Sequence, residues 1–236
     1  PASLKTLVAA LKDPNFRIRM KALSGLDLTK SDQAKAALAE VEKMASNDPK
    51  TLVQAAAISA LAKTKDKKYL PVFEKGMNAV SNSVKGSSLS GISLVDPAKV
   101  ATLADKIDLE SAGEDLIAEL LPIIVKNKIE KQMTAIASTA AFYPFVKFQN
   151  PELGAAAEDG YNWIMSSDNL KATENVTKIL TQVKGQIGNN PQAKMMIVQI
   201  LKEGLAKKMA VLKANPSSPT INQQIDLINK TIEAYK

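Results

Sequence analysis

Two residue types that often carry out chemistry in proteins, histidine and cysteine, are absent from this chain. Its 236 residues include no histidine and no cysteine. A histidine general base, a Ser-His-Asp triad, a histidine-ligated zinc site and thiolate chemistry are therefore excluded within the chain. The sequence also contains no glycine-rich phosphate loop and no aspartate-rich loop with calcium-binding spacing. We expect no catalytic, cofactor-binding or metal-binding residue here.

Arginine is the most specific charged group that remains, and it occurs only at Arg17 and Arg19. A guanidinium can hold a carboxylate through two parallel hydrogen bonds. Arg19 is expected mainly to bridge to an aspartate of an adjacent turn, whereas Arg17 is less constrained. Both are candidate contact residues, and so is Tyr143 in the aromatic cluster 142–148. Burial in the core is the preferred interpretation of that cluster, and a ligand or partner surface is the alternative.

The charge of the chain bears on its partners. The formal net charge is +7, and all but two of the 31 basic residues are lysines, interleaved with 24 carboxylates. This mixture is typical of a solvated surface, so nucleic acid is the least favoured partner. The longest apolar run, 120–125, is far shorter than the roughly 20 residues that a membrane-spanning helix needs. No signal peptide is visible, and no membrane partner is expected.

The elements that must position these residues are helices that recur along the chain. Three copies of one pattern lie at 13–26 (DPNFRIRMKALSGL), 48–61 (DPKTLVQAAAISAL) and, more weakly, 82–92 (NSVKGSSLSGI). Ile18, Val53 and Val84 are equivalent positions, separated by 35 and then 31 residues. Each copy has aliphatic residues at helical spacing and follows another apolar helical segment. Recurrence at this period is typical of a solenoid of helix pairs.

The rest of the chain also has helical periodicity, and no segment alternates in the manner of a strand. Further helices are expected at 97–107, 114–127, 129–148, 151–166, 168–187, 191–214 and 220–236. Asp-Pro or Asn-Pro pairs occur with their first residue at 13, 48, 96, 150, 190 and 215, and each pair is expected to cap the N-terminus of a helix. Pro71 is expected to kink its helix or delay its start, and Pro144 to kink or end its helix.

The expected fold is therefore all-α, an α-solenoid of antiparallel helix pairs that is more bundle-like in its second half. One helical-repeat domain is expected over residues 1–236, with a soft division near 110–114. The sequence begins at Pro1, directly inside a helical pattern. We therefore expect a fragment of a longer protein.

The pattern D-P-x-x-x-[IV]-[RKQ]-x-x-A-[LI]-x-x-L, preceded by an apolar helix, resembles the HEAT repeat. That family has an aspartate at the turn between its two helices and Val-Arg near the start of the second helix. Asp13, Ile18 and Arg19 match best; the second copy has Gln54 in place of the basic residue, and the third lacks the aspartate. The resemblance implies a HEAT-like superhelix and, for function, a scaffold that binds a protein or peptide on its concave face.

A second resemblance is to the C-terminal domain of the M1 family of zinc aminopeptidases, in its Bacteroidetes-type form. It is carried by the segments DPNFRIRMKAL, FYPFVKFQNPE and INQQIDLINKTIEAYK. In that family the domain follows the catalytic domain, covers its active site and limits substrate access. The resemblance implies a non-catalytic accessory domain whose partners are the catalytic domain of the same polypeptide and peptide substrate. The family motifs HExxH and GxMEN are absent here. Zinc is therefore expected only in that catalytic domain, and a periplasmic or cell-envelope location is implied.

Overall fold

The computed structural model describes residues 3–110 and 114–235, and the described residues contain helices and no strand. The α-helices are α1 (Leu4–Ala10), α2 (Phe16–Ser24), α3 (Ser31–Asn47), α4 (Thr51–Ala62), α5 (Leu70–Gly76), α6 (Asn82–Val95), α7 (Val100–Ala104), α8 (Glu114–Lys126), α9 (Ala137–Ala141), α10 (Tyr143–Gln149), α11 (Pro151–Met165), α12 (Leu170–Ile187), α13 (Pro191–Ala214) and α14 (Pro219–Ala234). Short 3₁₀ helices lie at Lys67–Tyr69, Pro97–Lys99 and Glu130–Gln132. The predicted all-α fold is confirmed.

The chain divides into two compact units, unit 1 (Pro1–Ile123) and unit 2 (Ile124–Lys236). The expectation of one domain over residues 1–236 remains a prediction. Of the soft division predicted near 110–114, residues 111–113 lie outside the described residues.

Unit 1 contains the three helix pairs that the repeats predict: α1 with α2, α3 with α4, and α5 with α6. We call α1, α3 and α5 the A helices and α2, α4 and α6 the B helices. The central B helix, α4, packs against α2, α3 and α6. Its sequence TLVQAAAISALA is therefore apolar on nearly every side, since a helix surrounded by neighbours has almost no solvent face.

Unit 2 is a bundle in which α11 packs against α9, α10 and α13, while α14 packs against α12 and α13. Glycine permits one close approach: a Cβ built on Gly154 of α11 would lie 2.3 Å from the Cα of Lys147 in α10. Only a residue without a side chain lets the two backbones pack at this distance. The position of α10 is thereby fixed against α11.

The Asp/Asn-Pro pairs do not all cap helices in the predicted way. Asn150 and Asn190 are N-caps, with side chains that accept from backbone N–H groups of α11 and α13. Asp13 and Asp48 lie two residues before the N-cap, and the Oδ1 of each accepts from the N–H two residues on, at 2.8 and 2.9 Å. The prediction is wrong for these two because the proline extends the turn and places the cap at Asn15 in α2.

The last two junctions also differ from the prediction. Asp96 precedes a 3₁₀ turn and its side chain makes no capping hydrogen bond. The N-cap of α14 is Ser218 and not Asn215. The Ser218 hydroxyl accepts a hydrogen bond from Ile221 N–H, and Pro219 follows it directly. The segment 97–107 is shorter than predicted, because only Val100–Ala104 of it is α-helix.

Proline also decides where helices begin. Pro71 lies in the first turn of α5, as the delayed start requires. The helix predicted at 129–148 is wrong as one element: it is a 3₁₀ turn followed by α9 and α10. Pro144 lies in the first turn of α10, where its missing N–H costs no hydrogen bond. It therefore begins a helix, and Phe142 between α9 and α10 leaves the helical conformation, with φ −98° and ψ 15°.

Candidate protein-binding surface

The exposed side of the B helices forms a continuous surface in unit 1. In α4, Leu52, Ala56 and Ser59 recur at i, i+4 and i+7 and are not buried. The equivalent positions are Arg17, Lys21 and Ser24 in α2 and Ser83, Ser87 and Ser90 in α6, of which Ser87 is buried. With Leu94, which follows Ser90 by one helical turn, the residues that are not buried define the B face, which consists of Arg17, Lys21, Ser24, Leu52, Ala56, Ser59, Ser83, Ser90 and Leu94. Leu52 and Leu94 are 50% and 47% exposed. This surface therefore offers two aliphatic side chains to solvent among small ones.

The charge of the B face is entirely basic among its own residues. No aspartate or glutamate occurs in α2, α4 or α6. Arg17 is exposed, lies over the Phe16 ring at 5.9 Å, and has no carboxylate partner among the described residues. Lys21 is exposed in the next turn. Glu119 of α8 touches this surface, because Ser90 Oγ donates to its Oε1 at 3.5 Å.

Arg19 lies on the other side of α2 and joins two repeats. Its Nε and Nη2 donate to Asp48 Oδ2 and Oδ1 at 2.8 and 2.7 Å, and its Nη1 donates to the carbonyls of Asp13 and Pro14 at 2.8 and 3.1 Å. Both side chains of the ion pair are buried, at 10% and 4% exposure. The bond to Asp48 raises the pKa of Arg19, so the guanidinium stays charged. The expected bridge to the aspartate of an adjacent turn is confirmed.

The equivalent position in the second repeat, Gln54, makes one of these four contacts. Gln54 donates to the carbonyl of Asp48 at 2.7 Å, as Arg19 does to the carbonyl of Asp13. By the 31-residue offset, the residue equivalent to Asp48 in the third repeat is Ala79. The second junction therefore lacks both the cation and the anion. In the third repeat Lys85 reaches forward, and its Nζ donates to the carbonyl of Lys106 at 3.0 Å.

Two clefts follow the same edge of unit 1. A cleft of about 490 Å³ lies at the first junction and is lined by Lys12, Arg19, Glu40, Lys43 and Asp48, among other residues. A smaller one of about 320 Å³, at the second junction, is lined by Gln54 and Ala79 together with aliphatic residues. Arg19 uses four of the five N–H donors of its guanidinium within the chain, and Lys12 of the first cleft is paired with Glu40 at 3.5 Å.

Tyr143 lies in unit 2, whereas Arg17 and Arg19 lie in unit 1. Its hydroxyl donates to Glu203 Oε2 at 3.0 Å, and its ring is 5.4 Å from that of Tyr161. Desolvation is the main reason that the pKa of Tyr143 is raised. The core assignment of the aromatic cluster is wrong: α10 has no buried residue, and Phe148 is 82% exposed. Arg17, Arg19 and Tyr143 remain predicted contact residues.

Sequence reasoning missed a buried lysine in unit 2. Lys208 is 0% exposed, and its Nζ donates to the carbonyls of Ile164, at 3.0 Å, and Ser167, at the end of α11. A cation at a helix C-terminus is favourable for the helix dipole. Burial nevertheless lowers the pKa of Lys208 to about 8. The signal was present in the sequence, since Lys208 continues the buried stripe formed by Leu201 and Gly204.

The described residues offer neither a metal site nor a membrane span. They contain no group of three or more aspartate or glutamate side chains that could hold a metal ion. In the same part of the chain, every helix is too short or too polar to cross a bilayer.

Comparison with known proteins supports a HEAT-like assignment of unit 1. The family model for HEAT repeats matches residues 4–93, which run from α1 into α6. No curated protein matches the chain. Among solved structures, the crystal structure of an engineered protein from a structural genomics consortium is similar, with 14% identity and a TM-score of 0.35, covering 99% of this chain and 100% of that one. The match covers the first three helix pairs and supports a helical-repeat fold for them.

Proposed function

We propose that this chain is a helical-repeat scaffold that binds an acidic segment of a partner protein on the B face. The observation that carries the proposal is the charge of that surface: three B helices present Arg17, Lys21 and two exposed leucines and include no carboxylate. Neighbouring helices are about 8–10 Å apart, so the B face is roughly 20 Å wide. About six residues of an extended peptide span that distance.

The chemistry of the surface selects the partner. A carboxylate on the partner can form a two-bonded ion pair with Arg17, which has no such partner within the described chain. Leu52 and Leu94 can be covered by aliphatic side chains. Ala56, Ser59 and Ser83 are small, so a peptide backbone can approach the helices closely. An acidic segment with interspersed aliphatic residues fits all three features.

A peptide library displayed on phage tests this proposal with the intact chain. We expect selected sequences to combine Asp or Glu with Leu, Ile or Val. Their binding, measured by isothermal titration calorimetry, should weaken at least tenfold in the double variant Arg17→Glu, Lys21→Glu. The matched control, Lys5→Glu with Lys35→Glu, makes the same change in net charge on exposed positions of α1 and α3 and should leave binding unchanged.

Two outcomes would contradict the proposal. Equal loss in the B-face variant and its control would show that only net charge matters. Selection of sequences without acidic residues would show that the basic side chains do not choose the ligand. Single-stranded nucleic acid is measured alongside; preferential binding of it, with the steep salt dependence of phosphate contacts, would favour a nucleic-acid scaffold instead.

The narrower role implied by the second resemblance is that this scaffold covers the active site of an M1-type zinc aminopeptidase and limits substrate access. It is supported by the three sequence segments that resemble that domain. Its test is the coding sequence upstream of Pro1. An HExxH motif in the same reading frame would support this role, and a frame without that motif would eliminate it.

A further inference from the structure

Two cations lie against one aromatic ring at the edge of the B face. The guanidinium of Arg17 and the ammonium group of Lys50 are each 5.9 Å from the centroid of the Phe16 ring. Arg17 belongs to the B face, whereas Lys50 is the N-cap of α4, two residues before Leu52 of the same surface. The half-buried Phe16 side chain therefore lies between the starts of α2 and α4 and joins a second cation to the B face.

Both cations occupy positions where a helix disfavours positive charge. Arg17 is in the first turn of α2 and Lys50 directly precedes α4, and neither first turn contains an acidic residue. The N-terminus of a helix has a partial positive charge, so that a carboxylate is stabilising there and a cation is not. Proteins depart from such local rules chiefly at functional sites. An anion bound between Arg17 and Lys50 would relieve this repulsion.

The chain itself supplies no counter-charge to the second cation. Lys50 is exposed and forms no ion pair among the described residues. The carboxylate closest to it in sequence, Asp48, is held by Arg19. The carboxylate closest in sequence to Arg17 is Asp13, whose Oδ1 accepts the N–H of Asn15 at 2.8 Å. Lys50 is therefore available, like Arg17, to a carboxylate of a ligand.

We propose that Lys50 and Phe16 complete the peptide site of the B face, and that the bound segment has two acidic residues two positions apart. This inference rests on the proposed function and specifies its ligand. Since both cations lie 5.9 Å from one centroid, they are at most twice that distance apart. In an extended peptide, residues i and i+2 point to the same side and are about 6–7 Å apart. Their carboxylates can contact Arg17 and Lys50 together, whereas adjacent acidic residues point to opposite sides.

Phe16 is the positioning residue of this site. A cation above an aromatic ring is attracted by the ring quadrupole. The ring thereby holds two flexible side chains near each other before the ligand binds, and less side-chain freedom is lost on binding. Beyond Lys50 the segment reaches Leu52, which is 50% exposed. The expected pattern is thus acidic-x-acidic, followed by an aliphatic residue.

Two synthetic peptides of identical composition test the spacing with the intact chain. Acetyl-Glu-Ser-Glu-Ser-Leu-Ser-amide has its acidic residues two positions apart, and acetyl-Glu-Glu-Ser-Ser-Leu-Ser-amide has them adjacent. Binding is measured from NMR chemical shifts of the backbone amides of α2 and α4, which also report weak affinities. We expect the spaced peptide to bind at least fivefold more tightly than its isomer.

Substitutions at Lys50 and Phe16 assign this preference to the two side chains. Lys50→Gln should reduce it to less than twofold, because the second carboxylate loses its partner. Phe16→Leu preserves an apolar side chain without the ring and should also reduce it, whereas Phe16→Tyr retains the ring and should retain the preference. The control is Lys35→Gln, the same change in charge at an exposed position of α3, which should leave the preference unchanged.

The results that would overturn the inference also separate it from the proposed function. Equal affinity for the two peptides, with shifted amides at Arg17 and Leu52, would leave the proposed function standing and show that the spacing is not recognised. A preference that survives Lys50→Gln would show that Lys50 does not bind the second carboxylate, and one that survives Phe16→Leu would show that the ring does not position it. If neither peptide shifted an amide of the B face, the proposed function would fail together with this inference.

Discussion

Removing the charge of Arg19 or of Asp48 should destabilise unit 1 strongly, and removing both charges together should cost much less than the sum. The pair is buried and joined by two short hydrogen bonds. Breaking a buried ion pair by removing one partner costs about 3–5 kcal/mol, because the remaining charge loses its counter-charge without returning to water. The informative variants are Arg19→Gln and Asp48→Asn.

These variants are chosen because the fold already accommodates them. A glutamine at position 19 can repeat the contact that Gln54 makes with the carbonyl of its own turn. An asparagine at position 48 retains an Oδ1 acceptor for the N–H of Lys50. Each single change therefore leaves one buried charge, at a cost of about 3 kcal/mol, whereas the double variant leaves none. The interaction energy from the double-mutant cycle should be about 2–3 kcal/mol.

The assay must report on unit 1. The single tryptophan, Trp163, lies in unit 2, so its fluorescence does not follow the α2–α4 junction directly. Hydrogen exchange measured by mass spectrometry on peptides from α2 and α4 reports on this junction directly. A loss of about 3 kcal/mol corresponds to roughly a hundredfold faster exchange there. If the two single effects add to within about 0.5 kcal/mol in the double variant, the two charges do not act as a pair and the reasoning fails.

The remaining predictions concern unit 2 and can be read from Trp163 fluorescence in urea. Burial lowers the pKa of Lys208 to about 8, so the folded protein releases this proton at a lower pH than the unfolded chain does. The free energy of unfolding should therefore rise between pH 8 and 9.5, by at most about 2 kcal/mol. The variant Lys208→Met should remove this rise. Gly204→Ala should lower the free energy of unfolding by about 1–3 kcal/mol, because the new Cβ would lie 2.4 Å from the Tyr161 hydroxyl. Gly185 has open space around it, so Gly185→Ala should stabilise α12 by about 0.5–1 kcal/mol. Phe148→Ser should change stability by less than about 0.5 kcal/mol, and a larger loss would show that this ring is part of the core after all.

The ion pair of unit 1 could be predicted because it depends on the repeat. A 35-residue offset makes Asp48 the equivalent of Asp13, and neighbouring repeats place equivalent turns side by side. An arginine near the start of α2 is then within reach of the next aspartate. The 35-residue spacing therefore predicts both that Arg19 pairs with an aspartate and that this aspartate belongs to the following repeat.

The aromatic cluster could not be placed in this way. Its assignment to the core was based on the tendency of aromatic residues at helical spacing to be buried, and the helical phase was that of the helix expected over 129–148. The break at Phe142 resets that phase, and α10 then packs through Lys147 on Gly154 of α11. Periodicity fixes which residues share a face only while the helix is continuous. Lys208 was missed for a different reason. The buried stripe of α13 is continuous through position 208, but lysine is a residue type that is rarely buried.

The two junctions of unit 1 are stabilised by different physics, and this difference suggests which part of the unit opens first. At the second junction Gln54 and Ala79 are neutral, and the contact is apolar: a Cβ on Gly76 of α5 would lie 3.4 Å from Ile58 Cδ1 of α4. At the first junction a buried ion pair replaces part of that packing. Such a pair contributes little net stability compared with an apolar contact, although breaking it is costly. The first junction is therefore the one expected to open first, and amide hydrogens of α2 should exchange faster than those of α6.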